Sequence, residues 1–179
     1  MSRVTCAQLG LASVSVHHHS KMVRSTMSLL FFLILTIGGG LLIGLLTRPG
    51  ELYAKLAKPS FTPPNGIFAP VWTVLYIMIA IAGWRTFTHD PLGPAMVVWT
   101  IALALNFSWS PIFFGLNQPV PALAVIVVLL AMIIIFIQLT WPQDAPSALL
   151  FVPYAVWTSF AALLNAVICR LNSPTRDVR

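Results

Sequence analysis

The sequence predicts an all-α integral membrane protein, a bundle of five transmembrane helices. Three observations carry that prediction. Only 8% of the 179 residues are charged while 58% are hydrophobic, against about a quarter charged in an ordinary soluble domain. The mean hydropathy is +0.89. Five stretches each stay apolar for about the 20 residues that a helix needs to cross hydrocarbon. So few charges cannot clothe a water-soluble globule, which excludes a soluble enzyme, a disordered chain and a disulfide scaffold. Unbroken apolar runs such as residues 122–137 lack the alternation of a barrel strand, which argues against a β-barrel.

The five predicted spans cover residues 28–47, 66–87, 93–115, 120–141 and 147–169. Helix-stopping chemistry separates them: Arg48-Pro49-Gly50, Asp90-Pro91, Asn117-Gln118-Pro119, and Pro142 to Pro146 with Asp144 between. Only the first connection, residues 48–65, is long. The short ones make successive helices antiparallel neighbours. The five-helix domain therefore occupies residues 27–172, followed by a polar tail at 173–179.

Residues 1–26 read differently. They hold Arg3, Lys21, Arg24, many Ser and Thr, His17-His18-His19 and no acid. That composition fits a transit-type leader, or a start codon placed too early, with translation from Met22 or Met27. Neither the histidine triplet nor the two cysteines, Cys6 and Cys169, amounts to a metal or disulfide framework. The net charge of +6 is spread between the apolar runs, which reads as membrane-flanking charge and not a nucleic-acid surface. Arg48, Lys55, Lys58, Arg170, Arg176 and Arg179 share one side with the first loop and the C-terminus. Arg85 lies on the other, with Arg3, Lys21 and Arg24 if the leader is present. The positive-inside rule then makes the first loop and C-terminus cytoplasmic.

Within the spans there is no acid for proton relay and no nucleophile paired with a base, which argues against a pump, a channel or an intramembrane protease. What remains is amides, hydroxyls and indoles. Asn106 and Asn165 must each find a partner, as helix-to-helix glue or as a ligand contact. Pro70, Pro111 and Pro153 bend or loosen their helices. Gly40 and Gly44 are spaced for close helix contact. Trp84, Trp99 and Trp141 fit an interfacial belt. Trp72, Trp109 and Trp157 lie deeper, each close to one of those prolines. Their flat faces and single N–H donors suit either core packing or a planar apolar ligand.

Three stretches carry a family resemblance: Lys58-Pro59-Ser60-Phe61-Thr62-Pro63-Pro64 with Phe68, Trp72 and Tyr76; Leu105-Asn106-Phe107-Ser108-Trp109-Ser110-Pro111 through Gly115; and Val152-Pro153-Tyr154 with Trp157, Asn165 and Arg170. Together they resemble the TspO/MBR family of tryptophan-rich sensory and translocator proteins. The resemblance implies a five-helix bundle, often a homodimer, that needs no cofactor and binds porphyrins such as protoporphyrin IX. It implies ligand contacts from Phe68, Trp72, Tyr76, Asn106, Trp109, Trp157 and Ala161. The first loop would cap the site through Lys58, Pro59, Phe61, Pro63 and Pro64. If the protein degrades porphyrin in light, as some relatives do, Trp72 and Trp157 are the indoles that match. The chain offers no general acid, base or metal site, so turnover would rest on ligand photochemistry.

There are departures. Leu52 and Phe61 stand where Trp is common, which weakens loop contacts to a ligand. Ala166 and Val167 replace the tyrosines of the cholesterol motif, with Arg170 kept. Cholesterol is therefore not an expected partner, and the eroded motif favours a bacterial membrane. The leading expectation is a tetrapyrrole-binding sensor or regulator in the bilayer. Light-dependent porphyrin breakdown and transport of porphyrins or other lipophiles are the alternatives.

Overall fold

The protein is seen here in a computed structural model whose described residues are 25–48 and 50–173, and among these residues five helices are long and apolar enough to cross a membrane. We label the helices α1 (Ser25–Leu46), α2 (Glu51–Lys55), α3 (Asn65–His89), α4 (Pro94–Gly115), α5 (Pro119–Thr140) and α6 (Ala145–Leu171). All but α2 are spans, and each lies within two or three residues of its predicted position. The histidine triplet and most of the predicted leader fall outside the described residues. Ser25 and Thr26, counted with the leader, are helical and belong to α1.

The neighbours follow from side-chain spacing. On α5 the buried residues are Ala122, Ile126, Leu129, Ile133, Phe136 and Thr140, steps of four and three that draw one stripe along a helix. On α6, Ser147, Phe151, Tyr154, Thr158, Asn165 and Ile168 keep the same rhythm. These two stripes face each other in the most extensive contact of the bundle. α5 also packs on α4, α6 on α3, and α1 bridges α3 and α4. The order around the bundle is thus α1, α3, α6, α5, α4. Although α3 and α4 are successive, they share only a small contact, because α1 takes part of the face between them.

Several local features depart from the sequence reading. The first loop contains the short helix α2. Pro70 and Pro153 sit on the lipid-facing side of helices that run on through them. Pro111 has the larger effect: it opens a π turn over Pro111–Gly115, and the chain then leaves through Asn117 at φ 53°, a left-handed position that asparagine tolerates better than most residues. Trp99 is not an interfacial residue. It is 2% exposed, and its Nε1 donates to the Ile79 carbonyl across the α3–α4 contact at 3.0 Å. Trp84 is half-buried, whereas Trp141 is exposed at the end of α5. A shallow apolar groove of about 450 Å³ runs down the outside between α1 and α4, lined by Phe32, Leu35, Trp99, Leu103 and Phe107.

At the end of the bundle away from the first loop, Arg85 and Asp144 form a two-pronged ion pair. Arg85 Nε donates to Asp144 Oδ2 at 3.0 Å and Nη2 to Oδ1 at 2.6 Å. Ser147 donates to the same carboxylate. In sequence Arg85 reads as a flanking charge and Asp144 as part of a turn. The fold makes them the clasp between α3 and the start of α6.

Candidate functional site

The residues singled out by sequence gather in the half of the bundle nearest the first loop. On α3, Phe68, Trp72 and Tyr76 recur every four residues and share one face. Tyr76 is fixed from α1. A π turn over Ile34–Gly38 brings the fully buried Thr36 within reach of α3, and its hydroxyl donates to the Tyr76 carbonyl at 3.0 Å. One turn on, Gly40 lies so close to the Tyr76 ring that any Cβ would collide with it. Gly39 does the same for Phe107, while Gly44 faces open space. The close-contact pair is therefore Gly39 and Gly40, not Gly40 and Gly44.

Tyr76 then connects to two further helices. Its hydroxyl donates to Asn106 Oδ1 at 2.9 Å, and Asn106 Nδ2 donates to the Tyr154 hydroxyl at 2.9 Å. Both ends of the Asn106 amide are thus engaged by tyrosines, and α3, α4 and α6 are stitched together in the membrane interior. Trp72 lies beside this chain, 5.5 Å from the Tyr76 ring and 6.4 Å from that of Tyr154. Asn165 plays a comparable part lower on α6, where its Nδ2 donates to the Pro119 carbonyl at 3.0 Å and binds α6 to the start of α5.

Two more aromatic groups flank the chain. Trp157 sits edge-on to Phe68 at 5.8 Å and beside Phe160 at 5.7 Å, and Phe160 meets Phe61 of the first loop at 6.3 Å. Trp109 stacks on Phe113 at 5.1 Å, and Phe113 and Phe114 both meet Tyr53 of α2. Ala161 packs against the same core as Trp157, leaving a small residue one turn beyond it. Among the loop residues, Lys58 lies over the Tyr53 ring at 4.3 Å. Pro59 accepts a hydrogen bond from Thr62 in a tight turn, Pro63 is half-buried, and Pro64 is exposed before α3. Burial raises the Tyr53 phenol above its usual value.

The indole N–H groups separate the tryptophans. Trp99 Nε1 is satisfied. Trp109 Nε1 and Trp157 Nε1 are buried and have no hydrogen-bond partner, as does Trp84 Nε1 nearer the far end. On α6, Thr158 Oγ1 and Asn165 Oδ1 are likewise unpartnered. A buried unmade hydrogen bond costs about 1–3 kcal/mol, and native structures keep few of them. Two such donors amid aromatic faces give an apolar setting with fixed points for an acceptor. Among the described residues no group of histidine, cysteine and carboxylate could hold a metal.

Sequence reasoning missed Tyr154 as the third member of the Tyr76–Asn106 chain, and Phe113 and Phe160 as the supports of the indoles. Tyr154 belongs to the Val152-Pro153-Tyr154 motif. Its pairing with Asn106 lies 48 residues away in sequence and is visible only once α4 and α6 are placed.

Comparison with known proteins gives a consistent picture. A sequence profile of the TspO/MBR family matches residues 31–171. The tryptophan-rich protein TspO of Chlorobaculum tepidum is 39% identical over 127 residues, 67% of this chain and 78% of its own length. The tryptophan-rich sensory protein of Cereibacter sphaeroides is 35% identical, covering 72% of this chain and 82% of its own. The human translocator protein is 36% identical over 71% of this chain and 78% of its own.

Proposed function

Since the chain belongs to the TspO/MBR family and is a multi-pass membrane protein, we propose that it is a tetrapyrrole-binding sensor or regulator, with protoporphyrin IX as its representative ligand. The observation that carries this reading is the pair of buried indole donors, Trp109 Nε1 and Trp157 Nε1, without partners beneath the first loop. A planar apolar macrocycle bearing a few acceptor oxygens answers both halves of that chemistry. Rings supply the broad apolar contact, and a few polar groups fix orientation. Phe68, Trp72, Trp157 and Ala161 would supply wall. Tyr76 and Asn106, already hydrogen-bonded to one another, would hold that wall in place and offer what donor capacity the Asn106 amide has left.

The lysine and arginine count supports a cytoplasmic first loop and C-terminus, and the eroded cholesterol motif supports a bacterial membrane. The family resemblance supports a homodimer.

Titration of detergent-solubilised protein with protoporphyrin IX tests the reading. Saturable quenching of tryptophan fluorescence in the dark is expected, with affinity lowered at least tenfold in Trp157→Phe, which removes the donor and part of the apolar surface. Unchanged affinity in Trp157→Phe and Trp72→Phe would refute the site. Illumination separates binding from turnover. Loss of porphyrin absorbance into a new band, absent in Trp72→Phe, would make the protein an enzyme.

A further inference from the structure

We propose that Asn172 is a latch that holds the first loop over the binding site and sets how fast a ligand enters and leaves. The inference rests on the tetrapyrrole-binding reading for its ligand, but its structural half stands without it.

Asn172 follows the last residue of α6. Its backbone N–H donates to the Ile168 carbonyl at 3.1 Å and its side-chain Nδ2 donates to the same oxygen at 2.8 Å. The end of the helix thus fixes the amide in one orientation. The fixed amide faces Ala57 of the first loop and pairs with it as a neighbouring strand would. Ala57 N–H donates to Asn172 Oδ1 at 3.0 Å, and Asn172 Nδ2 donates to the Ala57 carbonyl at 3.0 Å. Every hydrogen-bonding position of the side chain but one acceptor lone pair is used. Closure needs no ordering of this group, because α6 has already ordered it.

Ala57 is four residues from Tyr53 and four from Phe61. Those are the two loop rings that rest on the bundle. Tyr53 leans on Phe113, which stacks on Trp109, and Phe61 leans on Phe160, which lies beside Trp157. The latch therefore pins the midpoint of a segment whose ends cover the neighbours of the two indoles with free N–H groups. Aromatic edge contacts are only weakly directional and tolerate sliding, whereas the paired amide fixes one position. Releasing it frees both ends together.

The test needs a readout of the loop and a readout of the ligand. Trypsin supplies the first. Of the loop's three basic residues, Arg48 and Lys58 precede prolines and resist cleavage, so the Lys55–Leu56 bond reports loop opening. Asn172→Asp keeps the acceptor but replaces two donors by a charge facing two carbonyls, at a helix end that disfavours negative charge. Asn172→Ala removes the pairing without adding charge. Cleavage after Lys55 is expected to rise about tenfold in either variant, the scale of two lost exposed hydrogen bonds, with Asn172→Gln returning part of the protection. In stopped-flow quenching by protoporphyrin IX, association and dissociation rates should rise by the same factor, leaving Kd within about twofold of wild type, the signature of a gate acting on both rates alike.

Unchanged cleavage in both variants would overturn the latch. A rise in dissociation alone, with Kd weakened in proportion, would also overturn it, since Asn172 would then shape the bound site. If cleavage rises but wild type and variants alike show no saturable quenching, the loop latch stands and the tetrapyrrole reading fails.

Discussion

Tyr76 shows how one side chain is placed by its surroundings. Thr36 holds its carbonyl, Gly40 makes room for its ring, and Asn106 takes its hydroxyl. Gly40→Ala should destabilise the protein by about 1–3 kcal/mol, because the new methyl has no space beside an already packed ring. Gly44→Ala, with nothing within 4 Å of its Cβ, should be neutral or slightly stabilising, since alanine is the better helix former. Thermal unfolding in detergent compares them, and equal effects would mean that the Gly40 contact does not form. Asn106→Leu should cost about 1–3 kcal/mol by stranding the Tyr76 and Tyr154 hydroxyls in an apolar interior. A wild-type melting temperature in that variant would show the chain to be dispensable.

Between elements, the two ends of the bundle are fastened differently. Near the first loop, neutral amides and hydroxyls do the joining: Asn172 to Ala57, Asn165 to Pro119, and Ser110 to Thr47, whose own hydrogen goes to Ile43. At the far end the fastening is ionic. The Arg85 guanidinium hydrogen-bonded to Asp144 holds that carboxyl below its usual range, against the opposing effect of burial, and Ser147 adds to the lowering. A depressed carboxyl stabilises the fold fully above its ordinary value near 4 and loses that contribution as pH falls through the lower folded value. Wild type should therefore melt higher than Asp144→Asn at about pH 7, with the gap closing as pH falls below the ordinary carboxyl value of about 4. Arg85 is 34% exposed, so water screens the pair and the gap should be nearer 1 kcal/mol than the larger cost of breaking a fully buried one. A gap independent of pH would remove the charge from the explanation.

For the molecule as a whole, the spans were legible because hydrocarbon imposes a length and a polarity that any reading frame of 20 residues reveals. Their termini were legible because proline and asparagine stop helices for local reasons. The order of the helices around the bundle was not, since it depends on stripes such as Ala122–Ile126–Leu129 meeting Phe151–Tyr154–Thr158, and apolar spans carry little contrast between their faces. The site was legible in part. Trp72 and Asn106 stand out as indole and amide groups in apolar runs, Tyr76 comes only with the family resemblance, and the fold places the three side by side. Tyr154, Thr36 and Asn172 do not stand out, because each matters through a partner at least 40 residues away. Trp99 reads as interfacial by its place in the sequence, whereas its hydrogen bond to the Ile79 carbonyl and its close approach to Gly83 lock it between α3 and α4.

On the proposed function the free indole donors of Trp109 and Trp157 meet the ligand, and indole NMR tests this directly. With the indole 1H–15N resonances assigned by Trp→Phe variants, protoporphyrin IX should shift those of Trp109 and Trp157 in a saturable way. The Trp99 resonance, already bonded to the Ile79 carbonyl, should stay in place and serve as the internal reference. Resonances of Trp109 and Trp157 that stay fixed throughout the titration would contradict the account.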